Sequence, residues 1–262
     1  MAGCLKCLGQ TPFASLVAAL LVLAGTGAFC GTSFISLQLI IDGVLKELFG
    51  FTVNWLEILQ KMFIVIGGVM AVFAIILLIF GFLATGATRS NIYSGAKCIM
   101  GGRITAVFFM VLSYLLTIGW LALFSVCVIP VLVYVAVTAI CTNEIYSRSN
   151  DELMSMNYCF NLTRFGLYNL DAGSGHVCGS SRLRSMCNKV AEAGPLFCVA
   201  FGATALVVLG MIHFLVTLAA NYTRIKISKE LTEYRDAIET EELDLHSSEK
   251  KGPPPYREES SV

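Results

Sequence analysis

Long apolar stretches separated by polar segments dominate the hydrophobic pattern of this chain. A helix needs about 20 apolar residues to cross a bilayer core of about 30 Å, and four stretches meet this requirement. We number them spans one to four. They cover residues 12–30, 62–83, 104–137 and 195–222. The pattern predicts an all-α membrane protein, a four-transmembrane helix bundle.

The segments around the spans differ in their basic residues, and this difference predicts the topology. Short segments rich in Lys and Arg stay in the cytoplasm, and here they are 1–11, 84–103 and the start of 223–262. Residues 31–61 and 138–194 are then the two extracellular loops. We therefore expect a multi-pass plasma-membrane protein with both termini in the cytoplasm.

Span one allows a second interpretation, a cleaved signal peptide, because Lys6 precedes an apolar core. Small residues favour a retained helix, since packed membrane helices use them at their contacts. These residues are Ala14, Ser15, Ala18 and Ala19.

Two further features concern the outer ends of the spans. In the first outer loop, apolar residues at helical spacing predict an amphipathic helix that lies on the outer membrane surface or on the bundle. They are Phe34, Leu37, Ile41, Val44 and Leu48. The apolar run of span three continues to Ile140, so its helix must tilt or project, and Pro130 predicts a kink near the outer end.

Composition narrows the class further. Hydrophobic residues make up 56% of the 262 residues and charged residues 14%, with a mean hydropathy of +0.75, which excludes an ordinary soluble domain. The net charge is zero, so no overall basic field points to nucleic acid.

The second outer loop carries four cysteines and a glycosylation sequon at Asn161. Exported cysteines usually form disulfides, so we expect a disulfide-stapled loop glycosylated at Asn161; reduced, buried cysteines are the alternative. Three pairings are possible, and the sequence does not choose among them. The cysteines are Cys141, Cys159, Cys178 and Cys187.

Several short motifs together resemble the proteolipid protein family, which includes myelin proteolipid protein and the neuronal membrane glycoproteins. The motifs of span four are most similar to the neuronal membrane glycoprotein branch. The motifs lie at 7–16, 29–31, 81–87, 129–131, 157–159, 177–179, 213–214 and 219–222. The resemblance ends near Lys229.

The resemblance implies four spans with cytoplasmic termini, nested disulfides and palmitoylated N-terminal cysteines. The implied sites are Cys141–Cys187, Cys159–Cys178, Cys4 and Cys7. The chain departs from the family at 79–81, where no acidic residue ends span two, and after Gly31, where a second cysteine is missing. Roles that depend on those groups are not carried over.

Position also favours palmitoylation of Cys4, Cys7 and Cys98, because all three lie beside the cytoplasmic face. Free thiols are the alternative.

His213 is the one ionisable side chain, apart from Tyr and Cys, well inside a span. Such a group is a functional hypothesis by default, but a proton or ion path needs a relay, and the spans offer no acidic or basic partner. We therefore expect a neutral His213 hydrogen-bonded to Ser113 or Thr117 as a packing contact.

The cytoplasmic tail ends in two peptide motifs. Pro253-Pro254-Pro255-Tyr256 fits the ligand of WW domains, which predicts a WW-domain ubiquitin ligase as partner; a stiff spacer is the alternative. Ser260 and Val262 fit the last residues of a PDZ ligand. The alternative is that this ending arises by chance, since serines are common in polar tails.

These features predict a plasma-membrane glycoprotein that organises membrane contacts, adhesion or cell junctions and membrane morphology. A channel or transporter subunit is the alternative. No catalytic motif occurs, so we expect neither an enzyme nor a cofactor. The expected partners are membrane lipids, PDZ scaffold proteins, a WW-domain ligase, other membrane or adhesion proteins, and a further copy of the chain.

Overall fold

The computed structural model describes residues 13–50, 53–83, 96–155, 157–161 and 176–250, and it is predominantly helical. The helices are α1 (Phe13–Gln38), α2 (Asn54–Leu83), α3 (Ala96–Val126), α4 (Val128–Ile140), α5 (Asn150–Ser155) and α6 (Ser180–Lys250). Two π-helical segments, Leu39–Lys46 and Cys141–Tyr146, continue α1 and α4. Strands β1 (Cys159–Asn161) and β2 (His176–Cys178) form an antiparallel pair. Four helical stretches are long and apolar enough to cross a membrane, which confirms the four-span fold.

The most extensive contact in the bundle is between α1 and α6, and glycines let the two helices approach closely. A Cβ atom added to Gly25 of α1 would lie 2.8 Å from Val207 Cγ2 of α6. One added to Gly210 of α6 would lie 2.7 Å from Val22 Cγ2 of α1. Small residues let helix backbones approach closely in a membrane, so each glycine receives a valine of the facing helix.

The small residues of span one behave largely as expected. Ser15, Ala18 and Ala19 are buried, whereas Ala14 is exposed. Because α1 covers a long face of α6, loss of span one would uncover that face. Retention of span one, as opposed to its cleavage as a signal peptide, stays a prediction.

Aromatic side chains fill the space between the remaining helices. Phe29 of α1 is 1% exposed, and its ring centroid lies 5.4 Å from those of Phe63 in α2 and Trp120 in α3. Trp120 also donates from Nε1 to Met70 Sδ over 3.4 Å. Since α2 packs mainly on α1 and α3 mainly on α6, these rings join the two pairs.

The helices that form the four spans extend beyond the limits that the sequence predicts. Residues 39–46 of the first outer loop form a helix, as their spacing predicts. This π-helical segment continues α1 directly. The break predicted at Pro130 falls at Cys127, because proline has no N–H to bond the carbonyl of Val126. Helix α6 begins at Ser180, well before Pro195, and contains that proline in its interior.

We predict that Gly25→Leu destabilises the protein by about 1–3 kcal/mol, the usual cost of overpacking, because the new side chain would collide with Val207. Gly27→Leu is the matched control on the same helix, since nothing lies within 4 Å of a Cβ added there. Thermal unfolding in detergent measures both variants. Equal melting temperatures would show that Gly25 does not set the spacing of α1 and α6.

Candidate functional site in the stapled domain

A second apolar core lies at one end of the bundle, apart from the core between the spans. We call the part of the chain around it the stapled domain. The π-helical extensions of α1 and α4, the first turns of α6, helix α5 and the β-hairpin all contribute to it. Its buried members are Ile41, Val44, Leu45, Phe49, Val137, Cys141, Ile145, Leu153, Phe160, Val177, Leu183, Met186 and Cys187.

The outer disulfide joins two of the extended helices. Cys141 follows α4, Cys187 lies in the first turns of α6, and their Cα atoms are 5.8 Å apart. Both residues are buried, at 3% and 2% exposure. The bridge therefore fixes the outer end of span three to the beginning of α6 from inside the second core.

The inner disulfide staples the hairpin. Cys159 and Cys178 are directly opposite in the antiparallel register, and their Cα atoms are 4.3 Å apart. This matches the spacing of about 4.5 Å in a non-hydrogen-bonded pair. The two bridges are nested, in the pairing that the resemblance implied.

The turn between the hairpin and α6 depends on Gly179. Its φ is +93°, a backbone conformation that glycine adopts without the steric cost that a Cβ atom brings. Its carbonyl accepts a hydrogen bond from Leu183 N over 3.0 Å. The turn leads the chain directly from Cys178 into the helix that carries Cys187.

The predicted glycosylation site lies at the end of the hairpin. Asn161 is the last residue of β1, is half-buried, and pairs with His176. The third residue of the sequon, Thr163, lies outside the described residues.

Polar side chains form ion pairs and hydrogen bonds on the surface of the stapled domain. Lys46 Nζ lies 3.0 Å from Asp42 Oδ1 and 3.2 Å from Glu57 Oε1, so it links the extension of α1 to α2. The hydrogen bond with Asp42, and then that with Glu57, raises the pKa of Lys46. Ser149 and Glu152 bond each other's backbone N–H groups at the start of α5, over 3.3 and 3.0 Å, which is a capping box.

Between the stapled domain and the spans lies an apolar cavity of about 480 Å³. Its volume is within the usual range for small-molecule pockets, about 300–1,000 Å³. Trp55, which lines it, is 59% exposed. Gly194 forms part of the wall, and a Cβ there would lie 2.0 Å from the Tyr134 ring, so this glycine makes room for the ring.

The chemistry of the stapled domain favours binding. Its four cysteines are oxidised, so they offer no thiolate, which is the nucleophilic form of cysteine. Across the described ranges, no group of three His, Cys, Asp or Glu side chains is placed to hold a metal ion. What the domain offers is a covalently fixed surface and an apolar cavity beside it.

The expectation for His213 is wrong. Its side chain is exposed on the outside of α6, whereas Phe214 beside it is buried. Thr117 Oγ1 donates to the Ser113 carbonyl over 2.7 Å, and within the described residues Ser113 Oγ has no hydrogen-bond partner. The rotation of about 100° per residue along a helix separates His213 from the face that carries Phe214.

The remaining predicted sites lie elsewhere in the chain. Cys98 is in α3, where only its backbone is described. The others, Cys4, Cys7, Pro253, Pro254, Pro255, Tyr256, Ser260 and Val262, lie outside the described residues.

Comparison with known proteins identifies the family. Residues 1–230 match the family described as "Myelin proteolipid protein (PLP or lipophilin)". The chain belongs to the myelin proteolipid protein family. The match ends within α6, so it covers the spans and the stapled domain but not the motifs of the tail.

Individual proteolipid relatives align along most of the chain. "Neuronal membrane glycoprotein M6-a" of Mus musculus is 30% identical over 254 residues, covering 93% of this chain and 88% of the relative. The same figures hold for "Proteolipid protein DM beta" of Squalus acanthias. "Neuronal membrane glycoprotein M6-b" of Mus musculus is 30% identical over 251 residues, covering 92% and 76%. No solved structure matches the chain.

We predict that the inner staple is needed for export. The inner bridge spans 19 residues and the outer one 46, which corresponds to about 3 and 4 kcal/mol on the chain-entropy model. Cys159→Ser and Cys178→Ser should each reduce the fraction of chains whose glycan matures beyond the endoplasmic reticulum, and the double variant should be no worse.

The glycan at Asn161 is the readout, and Asn161→Gln, which should show no glycosidase shift, is its control. A wild-type chain without a shift in a secretory host would contradict glycosylation and the outward placement of the loop. Full maturation of the single cysteine variants would contradict the need for the staple.

Proposed function

We propose that the chain is a non-catalytic plasma-membrane glycoprotein that organises contacts between membranes, with the stapled domain outside the cell and a scaffold-binding tail inside. Its relatives include proteins named as membrane glycoproteins, and its four long apolar helices make it a multi-pass membrane protein. The finer assignment to adhesion or cell junctions rests on the geometry of the stapled domain.

The attachment of this domain to the spans carries the proposal. Helices α1, α4 and α6 run from the spans into the second core without a linker, and Cys141–Cys187 locks two of them together. A surface held in one conformation loses little freedom when it binds, so less of the binding free energy is spent on ordering. This geometry suits the capture of a partner at a fixed height above the membrane.

The chemistry of the loop supports its extracellular side. Disulfides persist in secreted and extracellular environments and are rare in the cytosol, and Asn161 begins an N-glycosylation sequon. The basic segments fall at the opposite ends of the spans, which agrees with a cytoplasmic tail.

On the cytoplasmic side, the tail would link the protein at a membrane contact to binding partners inside the cell. PDZ domains add a ligand's last residues as an extra strand and hold its terminal carboxylate. Val262 and Ser260 would point to the same side of that strand. Pro253 to Tyr256 would recruit a WW-domain ubiquitin ligase that controls residence at the surface, and acyl chains on Cys4 and Cys7 would bias the chain towards ordered membrane.

A channel or transporter is the weaker candidate. Ion pathways are lined by charged side chains, backbone carbonyls or a water-filled pore. Residues 13–41, 62–83, 104–143 and 193–223 contain no Asp, Glu, Lys or Arg. The histidine of span four lies on the outside of the bundle, where it cannot line an internal path.

We predict that the protein concentrates where two expressing cells touch. With the full-length tagged chain expressed in a mixed culture, fluorescence per membrane length at contacts between expressing cells should exceed that at contacts with non-expressing cells at least twofold. Cys141→Ser, sorted for equal surface level, should lose this enrichment because the helices of the stapled domain are no longer locked. Equal fluorescence at both kinds of contact would contradict direct adhesion between copies, and conductance in liposomes would instead favour the channel.

A second prediction concerns the tail. Deletion of Val262 removes the apolar last side chain and shifts the terminal carboxylate by one residue. Capture of PDZ proteins should therefore fall at least tenfold while surface delivery is unchanged. Ser260→Glu should act similarly, and Ser261→Ala, which points away from the domain, should have little effect. Equal capture by the wild-type and the shortened tail would rule out the PDZ ligand.

A further inference from the structure

The cavity between the stapled domain and the spans has an almost entirely hydrocarbon lining. Among the described residues that line it none is charged, and only Trp55 and Tyr134 carry an N–H or O–H group in the side chain. A buried water molecule makes about three hydrogen bonds to polar groups, and a lining of this kind offers few of them. The cavity therefore suits an apolar ligand.

The cavity opens sideways, between α2 and α4. Three of its lining residues are exposed: Trp55 of α2 at 59%, and Ile129 and Val133 of α4 at 59% and 41%. Helix α2 packs mainly on α1, and α4 packs mainly on α6, so neither helix closes the gap between them. Because Ile129 and Val133 lie within span three, the opening faces the hydrocarbon of the membrane.

The same gap continues deeper into the bundle, between α2 and α3, where a second cavity of about 290 Å³ lies. Leu56 lines the first cavity and Ile66 the second, and their separation of ten residues corresponds to about 15 Å along α2. This is half the thickness of the hydrocarbon core, about 30 Å, and thus the depth of one leaflet. The second cavity is lined by Val65, Ile66, Val69, Met70, Leu116, Gly119, Trp120 and Leu123.

The size of the first cavity matches one lipid chain. Its volume of about 480 Å³ is about 16 times the 30 Å³ that a water molecule occupies in the liquid, and a methylene group is of similar size. A flexible, unbranched chain can follow the gap from one cavity to the next, which favours it over a rigid ring system. The chain would also give the wall atoms the van der Waals contacts that an empty space denies them.

We propose that the cavity binds one acyl chain of a phospholipid, which enters from the surrounding membrane between α2 and α4. Phospholipid chains form the hydrocarbon that faces the opening, so they are the apolar groups at the highest concentration there. The bound chain fills the space between Leu56 of α2, Val133 of α4 and Met186 of α6. The proposal depends on the insertion of the spans into a membrane and is independent of the proposed role at membrane contacts.

Part of the cavity wall belongs to the stapled domain, and this distinguishes the site from the lipid-facing surface of the spans. Phe160 of the hairpin and Met186 of α6 line the cavity, yet they are only 9% and 2% exposed and belong to the second core. Lipid on the outside of the bundle does not reach them. An acyl chain that contacts Met186 is therefore inside the cavity.

Photocrosslinking of the full-length chain in phosphatidylcholine vesicles tests the site. A small fraction of the phosphatidylcholine carries a diazirine in the middle of one acyl chain, and mass spectrometry locates the adducts after irradiation. Adducts should form at Met186, and they are counted relative to those at Val216, a 63% exposed residue of span four. Val133→Trp and Ile129→Trp narrow the opening and should each lower the relative labelling of Met186 at least fivefold. The matched control is Leu132→Trp, at a 61% exposed position of α4 outside the cavity lining, which should leave it unchanged.

Exchange of the probe tests the chemical class of the ligand. A free fatty acid and a sterol with the same photoreactive group, each at the mole fraction of the phospholipid probe, should give at most a third of its relative labelling of Met186. Equal or stronger labelling by either of them would overturn the assignment to a phospholipid chain. No labelling of Met186 by any probe, undiminished labelling in both Val133→Trp and Ile129→Trp, or an equal loss in Leu132→Trp would overturn the binding of a chain in this cavity.

Discussion

In the core of a bilayer, lipid tails solvate an apolar helix as well as another helix does, so α1 and α6 are held together by close packing and not by exclusion of water. Gly25 and Gly210 allow this packing, because each receives a valine from the opposite helix. The other spans depend on the pair, since α2 packs on α1 and α3 on α6. Phe29 then connects the two halves through Phe63 and Trp120.

The same pair supports the stapled domain. Once outside the membrane, α1 and α6 carry apolar residues such as Val44 and Met186 into a core that water can drive together. The Cys141–Cys187 bridge adds the end of span three to them. Along the same helices, the stabilising interactions therefore change. In lipid they are close contacts at small residues, and in water they are the burial of apolar side chains and the disulfides.

The sequence predicts the parts of this architecture whose signals are local. Apolar length gives the spans, and the family motifs point to the disulfide pairing. The start of α6 is not predicted correctly. Proline is typical of the first turn of a helix, so Pro195 predicts a later start than Ser180. The amphipathic spacing of Leu183, Met186, Val190 and Ala193 was the available signal for the longer helix.

Which side of a helix faces its neighbours is harder to predict from the sequence. His213 shares a span with many apolar residues, and its neighbours in sequence do not specify whether it faces Ser113 or the lipid. The cavity beside Tyr134 combines residues from five separate elements, so no single stretch carries its signal. Gly194 and Gly202 look alike in the sequence, yet only the first is in contact with another side chain.

One consequence follows from the length of α6. Its 71 residues span about 105 Å at 1.5 Å per residue, from the hairpin at one end to the tail at the other. Tension applied to the stapled domain is therefore carried along one continuous helix, while the Cys141–Cys187 bridge shares the load with α4. In mechanical terms the helix is a lever that crosses the membrane, and a tilt of its end at the stapled domain displaces its end at the tail in the opposite direction.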